Sequence, residues 1–190
     1  DVFGGRLRQA SVRDASGKAH HVDVGAQFVG PLHTETIALA ESFGIPRVKT
    51  YTTGADLYDP GGPRAGAVKR AMKVSDSVIP PIGWLGLLDL GVNVKPRLER
   101  IIARLSTADA RMRAALDAET VASWASRTCW TAGSRKLVTL CVELVFGCEP
   151  FQLSVLQLAS YAHANGGFDA LTEVEGGGQQ WFFGGAGAGA

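Results

Sequence analysis

At 190 residues, with 46% hydrophobic positions, the chain is long and apolar enough to bury a core, which argues against disorder throughout. Lys plus Arg (19) nearly balance Asp plus Glu (18), and the net charge of +1 comes from scattered basic residues, so no stripe for nucleic acid is present. Three cysteines, Cys129, Cys141 and Cys148, without a CxxC pair argue against a disulfide framework or a structural zinc site and favour a reducing, intracellular compartment.

The chain begins with Asp1, with no basic segment and apolar run after it, so no targeting signal is visible and the start reads as cut. Residues 7–13 and 20–24 alternate as strands, and Asp14-Ala15-Ser16-Gly17 between them supplies turn chemistry for a hairpin. Ile37, Ala40 and Phe43 recur at helical spacing over 34–43, with Thr34 as the start cap and Gly44 as the stop. Short strands follow at 48–53 and 55–58, then a turn at Pro60-Gly61-Gly62-Pro63.

After Pro80-Pro81 the pattern turns helical, over 84–90, 97–105, 108–116 and 121–126, with Pro96 expected to break or kink the first run. This change of character sets a domain boundary near residue 79. In the helix expected over 132–146, capped by Thr131, the positions Leu137, Leu140, Cys141, Leu144 and Val145 form the stripe expected to be buried. Lys136 and Glu143 interrupt this most apolar stretch, so no membrane span is encoded. A helix over 154–164 stops at Asn165-Gly166-Gly167, 168–180 reads as loop, and the Gly/Ala tail 184–190 reads as a second cut end.

Two segments carry chemistry. Gly4-Gly5-Arg6 offers a bare backbone and a forked guanidinium to a phosphate or flavin, although an isolated tripeptide of this kind is more often an ordinary turn. One hairpin later comes Val22-Asp23-Val24-Gly25-Ala26-Gln27-Phe28-Val29-Gly30-Pro31. The two together resemble the monoamine and putrescine oxidase family of FAD amine oxidases, whose usual text is Asp-Arg-Val-Gly-Gly-Arg, a hairpin, then Asp-Leu-Gly-Gly-Gln-Phe-Val-Gly-Pro. The chain departs from it by Val2-Phe3 for Arg-Val and by Ala26 for Gly. The resemblance continues through Thr50-Tyr51-Thr52-Thr53-Gly54, Ile79-Pro80-Pro81, Thr128-Cys129-Trp130-Thr131 and Glu175-Gly176-Gly177-Gly178-Gln179-Gln180.

The resemblance implies a mixed α/β (α+β) fold, truncated at both ends. Residues 1–79 would be part of a Rossmann-like FAD/NAD(P)-binding domain, and 80–190 the helical part of an inserted substrate domain. It implies FAD contacts at Gly4, Gly5, Arg6, Gly25, Ala26, Gln27 and Phe28, and a substrate cavity lined by Thr128, Cys129, Leu171, Thr172 and Gln179. The activity implied is oxidation of a primary amine or small polyamine to the imine and aldehyde, with O2 reduced to hydrogen peroxide. A homo-oligomer is compatible with it. Alternatives are an L-amino-acid or polyamine oxidase of the same superfamily, or a non-catalytic binding module.

Read singly, the candidate residues have plainer roles. Cys129 and Leu171 suit a core, whereas Gln179 beside three glycines suits a ligand-facing loop. No residue is assigned a catalytic role. His20, His21, His33 and His163 lack metal-ligand spacing. Trp124, Trp130, Trp181 and the phenylalanines are expected in the core, and Arg97, Glu99, Arg100 and Arg104 on a solvated helix face. No G-x-G-x-x-G opens a strand-to-helix turn, so these residues alone are expected to be inactive.

Overall fold

The computed structural model describes residues 7–53, 57–58, 69–70, 72–74, 77–79 and 82–184. Gly4, Gly5 and Arg6, the turn at Pro60 to Pro63, Pro80-Pro81 and the tail beyond Gly184 lie outside the described residues. The chain divides into two compact units, Asp1–Thr52 with Glu173–Ala190, and Thr53–Thr172. The division thus falls earlier than the composition change near residue 79, and the last segment returns to the first unit. A return of this kind is made by strand pairing between distant segments, which local composition does not register.

In the first unit, β1 (Gln9–Arg13) and β2 (Ala19–Asp23) form the expected antiparallel hairpin, with Val12 opposite His20. Asp14 ties its turn by accepting from Ser16 N at 2.9 Å and Lys18 N at 3.1 Å. The Ser16 hydroxyl and then His20 hold this carboxyl down at about 2. Next come β3 (Phe28–Val29), α1 (Thr34–Ser42) and β4 (Arg47–Lys49).

Thr34 is the first residue of α1 and not its cap. That position belongs to His33, whose ring Nδ1 instead accepts from Gly30 N at 3.0 Å. Of the expected stripe on α1, Ala40 is buried and Ile37 half-buried, but Phe43 falls at the helix end and is 74% exposed.

The second unit opens with two short antiparallel ladders, β5 (Leu57–Tyr58) with β6 (Lys69–Arg70), and β7 (Met72–Val74) with β8 (Ser77–Ile79). Then α2 (Trp84–Asp89) runs through a π turn (Leu90–Val94) into α3 (Lys95–Arg104), closed by a 3-10 turn (Leu105–Thr107). Pro96 therefore does not break the run. It sits in the first turn of α3, and the widened turn before it accommodates the missing N–H and the bulk of the ring.

There follow α4 (Ala110–Asp117), α5 (Val121–Thr128), α6 (Ala132–Phe146), α7 (Val155–Ala164) and a single turn α8 (Asp169–Thr172) inside the expected loop. Thr120 and Ser154, the N-caps of α5 and α7, form an antiparallel bridge, so the starts of these two helices are fixed side by side. The last strand among the described residues is β9 (Trp181–Phe183), which belongs to the first unit. There it lies between β3 and β4, antiparallel to both, with Phe182 opposite Phe28 and Val48.

The helical core centres on Trp124, with Val94, Leu98, Val121, Val142, Val155 and Leu158 around it. On α6 the buried residues are Ser134 and Val142, with Val138 and Phe146 packed against the core. The expected stripe lies on another face: Leu137, Leu140, Cys141 and Val145 are half-buried and Leu144 is 76% exposed. α6 carries two apolar faces, and periodicity alone did not choose between them. Trp130, expected in the core, is 65% exposed, as are Phe28, Phe43 and Phe151 to differing degrees.

Candidate functional site

In the first unit, the segment Gly25-Ala26-Gln27-Phe28 leaves β2 and enters β3. Gly25, Ala26 and Phe28 are exposed and Gln27 is half-buried. The segment is anchored behind by buried Gly30, whose backbone lies directly on the loop that precedes β9. A Cβ there would stand 2.4 Å from Gly177 O and 2.7 Å from Gly178 Cα. Gln179, exposed on that same loop, accepts at its carbonyl from the Thr50 hydroxyl at 2.6 Å. Small residues thus leave an open strip of backbone on a held base, and such a strip fits the face of a planar cofactor such as a flavin.

In the second unit, Asp89 is the organising group at the start of α6. The side chain of Ile82 lodges between α2 and α6 because both lack bulk there, a Cβ on Gly86 or Gly133 standing only 3.0 or 3.1 Å from it. This close approach brings Asp89, 0% exposed, to the turn ahead of α6. Its Oδ2 accepts from Trp130 N at 2.8 Å, from Thr131 N at 2.9 Å and from the Ser134 hydroxyl. Its Oδ1 accepts from Asn93 Nδ2 at 2.8 Å, and the same amide donates to Thr128 O at 2.7 Å.

Burial pushes the Asp89 carboxyl up, but the donors from Asn93, Ser134, Thr131 and Trp130 together outweigh it and leave the group below the usual 3.8. A carboxylate depressed in the folded state stabilises the fold above its unfolded value, and that contribution is lost as pH falls through the folded one. The stability difference between wild type and Asp89→Asn, measured by denaturant unfolding across pH, is therefore expected to be constant above about pH 5 and to shrink below about pH 4. A difference that stayed flat into acid would show that Asp89 is not held as the carboxylate.

Thr128 and Cys129 lie buried beside this cluster. The Thr128 hydroxyl is, among the described residues, the one buried side-chain oxygen or nitrogen without a hydrogen-bond partner. Burial pushes the Cys129 thiol up, the Ser134 hydroxyl pulls it down, and the charge of Asp89 adds to the rise. The sulfur thus stays a neutral thiol and not a nucleophile. Leu171 on α8 packs against the helical core and Thr172 is exposed, with α8 anchored by the ion pair Lys95 Nζ to Asp169 Oδ1 at 2.7 Å.

Thr128, Cys129, Leu171 and Thr172 thus belong to the second unit, and Gly25 to Phe28 and Gln179 to the first. Sequence reasoning missed Asp89, Asn93 and Ser134. The available signal was a carboxylate set between leucines in an apolar helix, with an amide four residues on. No group of three metal-binding side chains occurs among the described residues, and no described helix is long and apolar enough to cross a membrane.

Comparison with known proteins agrees with the resemblance of the Gly25 to Pro31 segment. Residues 1–189 match the family model of flavin containing amine oxidoreductases. AofH of Mycobacterium tuberculosis, named as a flavin-containing monoamine oxidase, is 32% identical over 184 residues, covering 94% of this chain and 38% of that protein. Human amine oxidase [flavin-containing] B is 27% identical over 175 residues, 90% of this chain and 32% of that protein. Among solved structures, cyclohexylamine oxidase from Brevibacterium oxydans IH-35A superposes with a TM-score of 0.74 at 26% identity, over 96% of this chain and 38% of that one. The chain therefore spans under half the length of the relatives it matches. With nearly all its residues inside the family model and its mixed helix-and-strand fold shared with a solved amine oxidase, the chain belongs to the flavin containing amine oxidoreductase family, whose cofactor is FAD.

Proposed function

We propose that the full-length protein carrying this chain oxidises a primary amine or small polyamine. The amine loses two electrons and two protons across its C–N bond to give the imine, which water hydrolyses to aldehyde and ammonia. O2 takes up the two electrons and two protons as hydrogen peroxide. FAD, when bound, carries the electron pair between them. In this reading Gly25, Ala26, Gln27 and Phe28 lie against the cofactor, with Gly4, Gly5 and Arg6 assigned there on sequence. Thr128, Cys129, Leu171 and Thr172 line the substrate cavity, Gln179 is assigned to the substrate on the resemblance, the 190 residues alone do not turn over, and the cysteines favour a reducing, intracellular compartment.

The observation that carries the reading is the buried, uncharged pair Thr128–Cys129 with its unpartnered hydroxyl. A buried hydroxyl without a partner costs free energy unless a ligand or water satisfies it, and an amine nitrogen or its N–H does so. The neighbouring carboxylate, Asp89, already receives four donors and is not offered to a substrate cation. A neutral surface of this kind favours the uncharged amine, the form with a free lone pair.

An amino acid would instead need a cation for its carboxylate. Arg127, adjacent to Thr128, is committed to Glu119 through Nε at 2.5 Å and Nη2 at 2.7 Å, and Arg135 is exposed on α6. This favours amines over amino acids. The test is a flavin spectrum and a peroxide-coupled assay of the full-length protein with primary amines, polyamines and L-amino acids. Bound FAD bleached by amines with release of peroxide is expected. Bleaching by amino acids alone would replace the substrate class, and absence of flavin would leave a non-catalytic binding module.

A further inference from the structure

We propose that Asp89, acting with Asn93, is a positioning residue that clamps the turn from Thr128 to Trp130 and thereby sets how tightly the protein holds its amine. The proposal rests on the amine-oxidase reading above and goes beyond it, because neither residue is among those that line the cavity.

The geometry is a clamp closed on both sides of Cys129. On one side Asn93 Nδ2 donates to Thr128 O, and on the other Asp89 Oδ2 accepts from the consecutive N–H groups of Trp130 and Thr131. Asn93 also donates to Asp89 Oδ1, so the two jaws are one unit on the α2–π–α3 run. The start of α6 does not need this arrangement. Thr131 already caps it, its Oγ1 accepting from Ser134 N at 3.1 Å.

Two costly features are nonetheless present at one place. A fully buried carboxylate is far more expensive to place than an apolar side chain of similar size, and a π turn interrupts the helix directly after it. Asn93 lies within that π turn, one helical step from Asp89, and both side chains meet the same turn. Expense beyond the needs of capping marks a place where position matters more than stability. The two side chains held between the jaws are the Thr128 hydroxyl and the Cys129 thiol.

The test uses the FAD-loaded full-length protein and two variants, Asp89→Asn and Asn93→Ala, with rates expressed per bound flavin. Expected is a rise in KM for a primary amine of about 10-fold or more with kcat changed less than about threefold, since one hydrogen bond made alike in ground and transition states is worth about tenfold in binding. An activity-independent measurement accompanies it: native-state alkylation by iodoacetamide, read by peptide mass spectrometry. Labelling of Cys129 is expected to rise at least about 10-fold while that of Cys141 stays constant, because only the turn is released.

Equal gains at Cys129 and Cys141 would mean that Asp89 merely holds the unit together, and an unchanged KM with selective Cys129 labelling would remove the amine from the proposal; either overturns it. If the wild-type protein binds FAD but oxidises no amine, the amine-oxidase reading fails by itself, and selective against uniform labelling still decides the clamp. Should Asp89→Asn not fold, Asn93→Ala carries the test, since it opens the Thr128 side and leaves Asp89 three donors.

Discussion

Replacing Trp124 by alanine is expected to destabilise the protein by about 3–5 kcal/mol, the largest effect of any single substitution in the helical unit. Trp124 is 2% exposed and lies in α5 within the apolar cluster that also takes in α3, α6 and α7. Its removal deletes the burial of a large ring and leaves a cavity that four helices would have to collapse together to fill. The bridged caps at Thr120 and Ser154 hold the starts of α5 and α7 where they are, so collapse is incomplete and the cavity term persists. Denaturant unfolding of wild type and variant measures this, and a loss below about 1 kcal/mol would mean that the site repacks freely.

The second expectation is a pair of like substitutions with opposite signs. Gly30→Ala is expected to cost about 1–3 kcal/mol, because the new methyl meets main-chain atoms of Gly177 and Gly178, which have no rotamer with which to yield. The loop bearing Gln179 must move, and β9 with it. Gly91→Ala, inside the π turn, meets nothing within 4 Å and has no left-handed backbone to strain. It removes chain entropy from the unfolded state and is expected to stabilise by about 0.5–1 kcal/mol. Parallel melts decide this, and equal effects at both positions would show that Gly30 does not touch the loop.

What the sequence disclosed depends on how far apart the partners stand. The hairpin around Asp14 and the start of α6 at Thr131 were legible because the deciding contacts lie within a few residues. Asp89 was not, since three of its four donors lie 41 to 45 residues downstream. The same distance hid the role of Trp130: its backbone is held by Asp89 while its ring stands outside the core. On α6 the residue types were read correctly and the face was not, because two apolar faces satisfy one period and only the neighbours select between them.

The exposed strip at Gly25 to Phe28, proposed to face the flavin, was marked by the order of its residues and the resemblance they carry. Leu171 and Thr172 were named only through the resemblance, whereas Gln179 beside three glycines also reads as a ligand-facing loop. Nothing in the surroundings of Leu171 and Thr172 along the chain separates them from ordinary core and surface.

The place of β9 between β3 and β4 has a consequence for the order in which the protein is made. Thr50 and the residue it binds at Gln179 are 129 positions apart, and the three-stranded sheet has no middle until β9 leaves the ribosome. Synthesis runs at roughly 5–20 residues per second, so β3 and β4 wait several seconds with unpaired edges while Thr53–Thr172 is translated. The helical unit, whose contacts are more local, is complete before that sheet closes. β3 and β4 are thus made well before the strand that joins them, and a chaperone guarding the nascent chain would find them waiting.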